Sequence, residues 1–282
     1  MTFIEIRDLM KIYQTKGNQA GVPALRGIEL VVDKGEFISI IGPSGSGKTT
    51  LMLILAGMLD PTAGFVKVGD SRLDKLSEYG RSLYRRHKVG TLWQLPNRNL
   101  IFEITIEENV DIQLRLLGMP LEERKRRIND LLEDVGLERW SHHKPMQLSG
   151  GQVQRAGLAC ALAHSPSLLL ADEPTGELDT KTAKELMRYF RHLNETIGIT
   201  AIMVTHDFDV AKTSDRIIQI VDGRISGFSY SKNLRTLRDL NSVYLDRYGS
   251  MQLPRHITEI MTVEEEVKIK VQEKGKLFLE QK

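Results

Sequence analysis

The chain has 282 residues, 41% hydrophobic and 27% charged; the length suits one α/β domain with something small appended, and the composition excludes collagen, coiled coil and bulk disorder. A formal net charge of only +2 lacks the electrostatic footprint of a nucleic-acid binder. The lone Cys160 cannot close an internal disulfide and no run approaches the ~18 apolar residues of a membrane helix, so a reducing cytoplasm is expected, with any membrane crossing left to another chain.

In chain order, Phe3-Ile4-Glu5-Ile6 alternates, Ile28 to Val32 is largely apolar, and Glu36 to Ile41 is an apolar run ending at Gly42. These predict short strands. Lys48 to Leu59 takes helical spacing and is closed by Asp60-Pro61-Thr62-Ala63-Gly64. Residues 107–136 read as two helices parted by Gly118-Met119-Pro120, part of a helical insertion over about 96–155. In the second of these helices Glu122 to Arg127 sets acids ahead of bases at i,i+4 spacing, while Ile128, Leu131, Leu132 and Val135 keep an apolar face. The charge run is therefore expected to face solvent. A long helix follows Gly151, and buried strands are predicted at Ser167 to Ala171 and Thr200 to Thr205. Strands alternating with helices call for a parallel sheet. A composition shift near Gly223 to Asn241 divides the chain into a main domain at 1–227, a linker at 228–241 and a small β-rich unit at 242–282.

Gly42-Pro43-Ser44-Gly45-Ser46-Gly47-Lys48-Thr49-Thr50 fits the phosphate-binding pattern G-x-x-x-x-G-K-[ST] between a predicted strand and a predicted helix. There the glycines let backbone N–H groups turn toward phosphates, Lys48 reaches the β and γ phosphates, and Thr49 offers a hydroxyl to Mg²⁺. Asp172 and Glu173 end the apolar run Leu168-Leu169-Leu170-Ala171, and no Lys or Arg lies between Arg155 and Lys181 to neutralise them locally. Buried carboxylates without such partners are costly, so Asp172 is expected to hold Mg²⁺ and Glu173 to act as general base toward the attacking water. His206 ends a further strand and is expected at the same sheet edge. Ser149 and Gln152 fit a capping box at a helix start. Gly150 and Gly151 in that first turn cost helix propensity, which a phosphate approaching the backbone would justify. Two phosphate-ready helix starts in one chain point to two ATP molecules sandwiched in a head-to-tail homodimer.

Together, GPSGSGKTT, LSGGQ, LLLADEP and THD resemble the ABC transporter nucleotide-binding subunit family over roughly 2–227, an α/β P-loop NTPase fold with a helical insertion. The resemblance implies that Tyr13 stacks on adenine, and that Gln94 senses Mg²⁺ and the attacking water. It implies that the loop from Gly176 to Asp179 speaks between paired sites, and that Ser149, Gly150, Gly151 and Gln152 complete the opposite subunit's ATP site. Trp93 stands where Phe is commoner and Glu177 where Asn or a small residue is usual. The phrase PALRGIELVVDKGEFISIIGPSGSGKTTLM is most similar to the branch serving lipoprotein release, macrolide or peptide export and cell-division signalling. The expected function is that of an ATP-hydrolysing subunit, peripheral on the inner face of the membrane, that moves a separate permease docked near Pro96 to Val110. The rival reading is a soluble ATPase of the same family acting on nucleic acid or ribosomes; nucleic acid is not the expected partner. The run from Tyr244 to Gln281 resembles the AbrB-like swapped-hairpin family, but seven Lys or Arg balance seven Asp or Glu from Leu240 to Lys282, so DNA binding is not expected. Either a dimerisation clamp or a β tail covering one edge of the core remains open there.

Overall fold

A computed structural model describes residues 1–15, 18–231, 267–273 and 276–281. Two sheets form the body. The strands β1 (Thr2–Thr15), β2 (Asn18–Asp33), β4 (Ala63–Val68) and β5 (Ser71–Arg72) make an antiparallel sheet in the order β2-β1-β4-β5. The second sheet has the order β10-β9-β3-β8-β7-β6, from β3 (Phe37–Ile41), β6 (Val89–Leu92), β7 (Leu168–Asp172), β8 (Thr200–Val204), β9 (Arg216–Val221) and β10 (Arg224–Tyr230). Its strands are parallel except β10, which runs antiparallel to β9.

The central strands read as near-continuous apolar runs because both sheet faces are covered. Every residue of β3 and β8 is buried. Along β7, Leu168 and Leu170 enter one core, with the antiparallel sheet, α1 (Lys48–Leu55) and α2 (Glu78–His87), while Leu169 and Ala171 enter the other. That second core is roofed by α3 (Ile106–Leu116), α4 (Leu121–Asp134), α5 (Gly150–Leu162) and α6 (Thr180–Ile197). The period-two alternation of a strand thus divides the molecule into two lobes sharing one sheet.

Three sequence expectations are corrected. α1 stops at Leu55 rather than Leu59: Gly57 turns at φ 66° and the N–H groups of Met58 and Leu59 return to the Leu53 carbonyl, ending the helix before the Pro and Gly signals. The charge run on α4 is not wholly solvated. Arg124 Nε donates to Asp111 Oδ1 of α3 at 2.6 Å, with both side chains only 15% exposed. Arg127 Nη2 donates to the Leu162 carbonyl at the end of α5 at 3.1 Å. Long basic side chains can bury their stems while their heads satisfy carbonyls and carboxylates. Finally, β10 runs to Tyr230, which pairs with Arg216, so the sheet continues past the boundary expected at Gly227. Among the described C-terminal residues β11 (Val267–Glu273) and β12 (Lys276–Gln281) form an antiparallel hairpin whose backbone register pairs Ile269 with Leu279 and Val271 with Leu277. The readings at 232–266 lie outside the described residues.

Candidate functional site

The carboxyl ends of β3, β7 and β8 bring the predicted groups to one edge of the parallel sheet, where open α/β sheets bind ligands. The loop leaving β3 carries the glycine-rich run and feeds directly into α1 at Lys48. Gly47 sits at φ 101°, and a Cβ there would stand 2.5 Å from the Ala24 carbonyl oxygen, so the loop can pack against β2 only with glycine at this point. A cleft of about 320 Å³ opens over the loop. Gly42, Ser44 to Thr50, Glu173 and His206 line it, with Ala24 on the β2 side.

Lys48 folds back over the loop: its Nζ donates to the Gly42 and Pro43 carbonyls, each at 2.8 Å. Burial lowers its pKa, and the negative charges of Glu173 and Asp172 oppose that shift. Asp172, at the tip of β7, has its pKa raised first by burial and then by Glu173, while Lys48 and Arg98 pull it down. Glu173 has left the strand and sits at φ 45°, its N–H held by the Val204 carbonyl at 2.8 Å. Non-glycine residues rarely adopt this conformation, and it stores strain where surrounding structure enforces it. Here it aims the carboxylate along the cleft, where Glu173 Oε2 lies 2.9 Å from His206 Nδ1. The two side chains, 33 positions apart, share one wall.

Other expected site residues stand outside this cleft. Tyr13 is at its margin, its hydroxyl 3.4 Å from Thr50 Oγ1. Gln94 follows β6, and its side-chain amide packs against Gly176, whose N–H donates to the Glu173 carbonyl at 3.0 Å. Asp179 caps α6, accepting from the N–H groups of Lys181 and Thr182 and from Thr182 Oγ1 at 2.6 Å; those hydrogen bonds, led by Thr182, lower its pKa. Ser149 caps α5, with the reciprocal Ser149–Gln152 bonds of a capping box in place. The start of α5 does not line the cleft of its own chain. The glycine pair there also has an intrachain cause: a Cβ on Gly151 would stand 2.1 Å from Thr182 Cγ2 of α6, so helix packing alone demands the smaller residue at that position.

Sequence reasoning missed two groups. Ala24 reaches the cleft because β2 runs beside the loop, and no feature of its local sequence marks it. Arg98 acts on Asp172 through space from a short turn after Gln94, where its charge reads as one more surface group.

The ABC transporter family profile matches residues 25–176. An uncharacterized ABC transporter ATP-binding protein of Thermotoga maritima is 44% identical over 224 residues, covering 79% of this chain and 94% of that protein. The lipoprotein-releasing system ATP-binding protein LolD of Legionella pneumophila is 40% identical, covering 72% of this chain and 89% of its own length. The macrolide export ATP-binding/permease protein MacB of Syntrophobacter fumaroxidans is 42% identical over 80% of this chain but only 31% of its own length. Among solved structures, the dimeric post-hydrolysis state of the ATP-binding cassette MJ0796 bound to ADP and Pi superposes with a TM-score of 0.73 at 37% identity, covering 82% of this chain and all of that one.

Proposed function

We propose, from the premise that this chain belongs to the ABC transporter family, that its ATP-binding and hydrolysing activity drives a separate membrane permease. ATP is the substrate. Its phosphates take the loop from Gly42 to Thr50, where backbone N–H groups and the start of α1 supply positive potential. Lys48 exchanges the Gly42 and Pro43 carbonyls for the β and γ phosphates, and Tyr13 at the cleft margin offers an aromatic face to the adenine.

Mg²⁺ fits this donor set. Thr49 lines the cleft, Asp172 carries a carboxyl that burial and Glu173 leave in need of a cation, and Gln94 is the third group assigned. Mg²⁺ characteristically takes one or two such oxygens beside phosphate oxygens and water, and when bound it offsets the phosphate charge. Glu173 orients the attacking water and takes its proton. His206 fixes the Glu173 carboxylate by the 2.9 Å contact, and Gln94 monitors the same region from behind Gly176. The observation that carries this reading is that Glu173 and His206 wall the same cleft as the phosphate loop.

Ser149, Gly150, Gly151 and Gln152 lie off their own chain's cleft, which supports their use by a second copy in a head-to-tail homodimer, with Asp179 between the paired sites. A groove of about 220 Å³ beside the Gln94 segment, with Met58, Arg85, Arg98 and His164 in its lining, supports docking of a permease. Arg98 belongs both to that groove and to the surroundings of Asp172, so a docked partner would be felt at the site. Export or mechanical transmission is the assigned direction of work, in keeping with the lipoprotein-release and macrolide-export relatives, and the working location is the inner membrane face.

The test compares ATP turnover and light scattering of the intact protein with Glu173→Gln. Turnover should fall by about 100-fold or more while an ATP-bound dimer persists; undiminished turnover removes Glu173 as the base. Cross-linking through a cysteine placed at Ile101 in native membranes should recover a polytopic membrane protein. Recovery of ribosomal or nucleic-acid material would instead favour the soluble rival.

A further inference from the structure

The Gln94 segment is held from an unexpected direction. Gln154 lies on α5 just beyond Ser149 to Gln152 and is 2% exposed. Its Nε2 donates to the Gln94 carbonyl at 2.8 Å. Because a carbonyl only accepts, this contact fixes which end of the amide faces Gln94. The other end, Oε1, is buried and has no hydrogen-bond partner among the described residues. One residue earlier in the same strand exit, the Trp93 N–H donates to Asn99 Oδ1 at 3.1 Å. Asn99 in turn rests on α5 where Gly157 leaves room, a Cβ there standing 3.2 Å from Asn99 Nδ2. Two amide side chains packed on or extending from one helix therefore grip successive residues of the Gln94 segment.

We infer that Gln154 is a positioning residue that couples the start of α5 to Gln94. The inference rests on the reading of Gln94 as the glutamine that senses the attacking water. A packing role alone would be met by Leu or Met, so a buried amide spent on the Gln94 carbonyl requires a reason. The reason is linkage. Ser149 to Gln152 serve the partner's nucleotide, while Gln94 serves the chain's own. Both are joined through one turn of α5 and one hydrogen bond, so a displacement of the helix start is transmitted to the Gln94 main chain.

Steady-state ATP hydrolysis by the full chain separates the possibilities. Gln154→Leu should lower kcat by about tenfold or more, as misplacement of a positioned group does, with KM for ATP within about twofold of the starting value. Added to Gln94→Ala, the same substitution should change nothing further, because the effect passes through Gln94. Gln154→Met, matched in volume, should reproduce the kcat loss with an unchanged thermal transition. An unaltered kcat in both Gln154 variants overturns the coupling, as does a full additional loss in the Gln94→Ala background, or failure of both variants to fold. Wild-type kcat in Gln94→Ala alone overturns the reading of Gln94 itself, a result separable from the others.

Discussion

Lys48 occupies a position where an ammonium is expensive, 8% exposed and desolvated, and it satisfies itself on two carbonyls of its own loop. Lys48→Ala should weaken ATP binding and abolish turnover, measured by nucleotide titration and phosphate release, while leaving the fold intact. Asp172 gives a prediction with a sign. Its pKa is raised in the folded chain, so its contribution to stability is fully present below the ordinary aspartate range and is lost as pH rises through the folded pKa. Asp172→Asn should therefore raise the melting temperature of the nucleotide-free protein at neutral pH, and the advantage should vanish below about pH 4. Cys160 is buried in the wall of the groove that Arg98 and His164 line, and its thiol is pushed up to about 12; since the thiolate is the reactive form, maleimide should label it slowly in the folded protein and readily after unfolding. At this scale the phosphate loop was legible because its chemistry is contiguous in the sequence. Ala24, Arg98 and Gln154 were not, because each acts on a residue that only the fold makes its neighbour.

Between α5 and α6 the decisive contact is a missing methyl. Gly151→Ala should cost about 1–3 kcal/mol by overpacking, read by denaturant unfolding. Thr182→Ser in the same chain should recover most of the loss, since Ser lacks the Cγ2 while keeping the hydroxyl that bonds Asp179. Failure of the rescue would mean that the helix start is constrained by something other than Thr182. Element types were widely legible: apolar runs marked β3, β7 and β8, and the Ser149–Gln152 spacing marked the cap of α5. Ends and faces were less so. α1 ended at an internal glycine that its helical periodicity concealed. Arg124 and Arg127 read as solvated because i,i+4 charge spacing reports on one helix alone, whereas Asp111 and the Leu162 carbonyl belong to others.

The body formed by the described residues up to Ser231 is organised around a sheet with a lobe on each face. α1, into which the phosphate loop feeds, belongs to one core and α5 to the other, in keeping with one copy presenting a nucleotide cleft and a separate capped helix start without joining them. Of the two expectations for the C-terminal unit, a dimerisation clamp or a β tail covering one edge of the core, the first has a direct test. A chain ending at Ser231 should become monomeric without nucleotide and still dimerise with ATP and Mg²⁺, by light scattering; unchanged association would assign the hairpin of β11 and β12 another task. The sheet was legible as a class, α/β with parallel strands, but its edge at β10 was not, because Gly227 and the serines around it carry no strand signature of their own. The alternation along β7 has a consequence for how such chains diverge. One residue inserted or deleted between Leu168 and Ala171 would exchange which β7 side chains enter each core and turn Asp172 and Glu173 away from the loop in a single event. Point changes in this strand can accumulate gradually; changes in its length cannot, so descendants of this chain should vary in length at their surface connections and keep β7 to the residue.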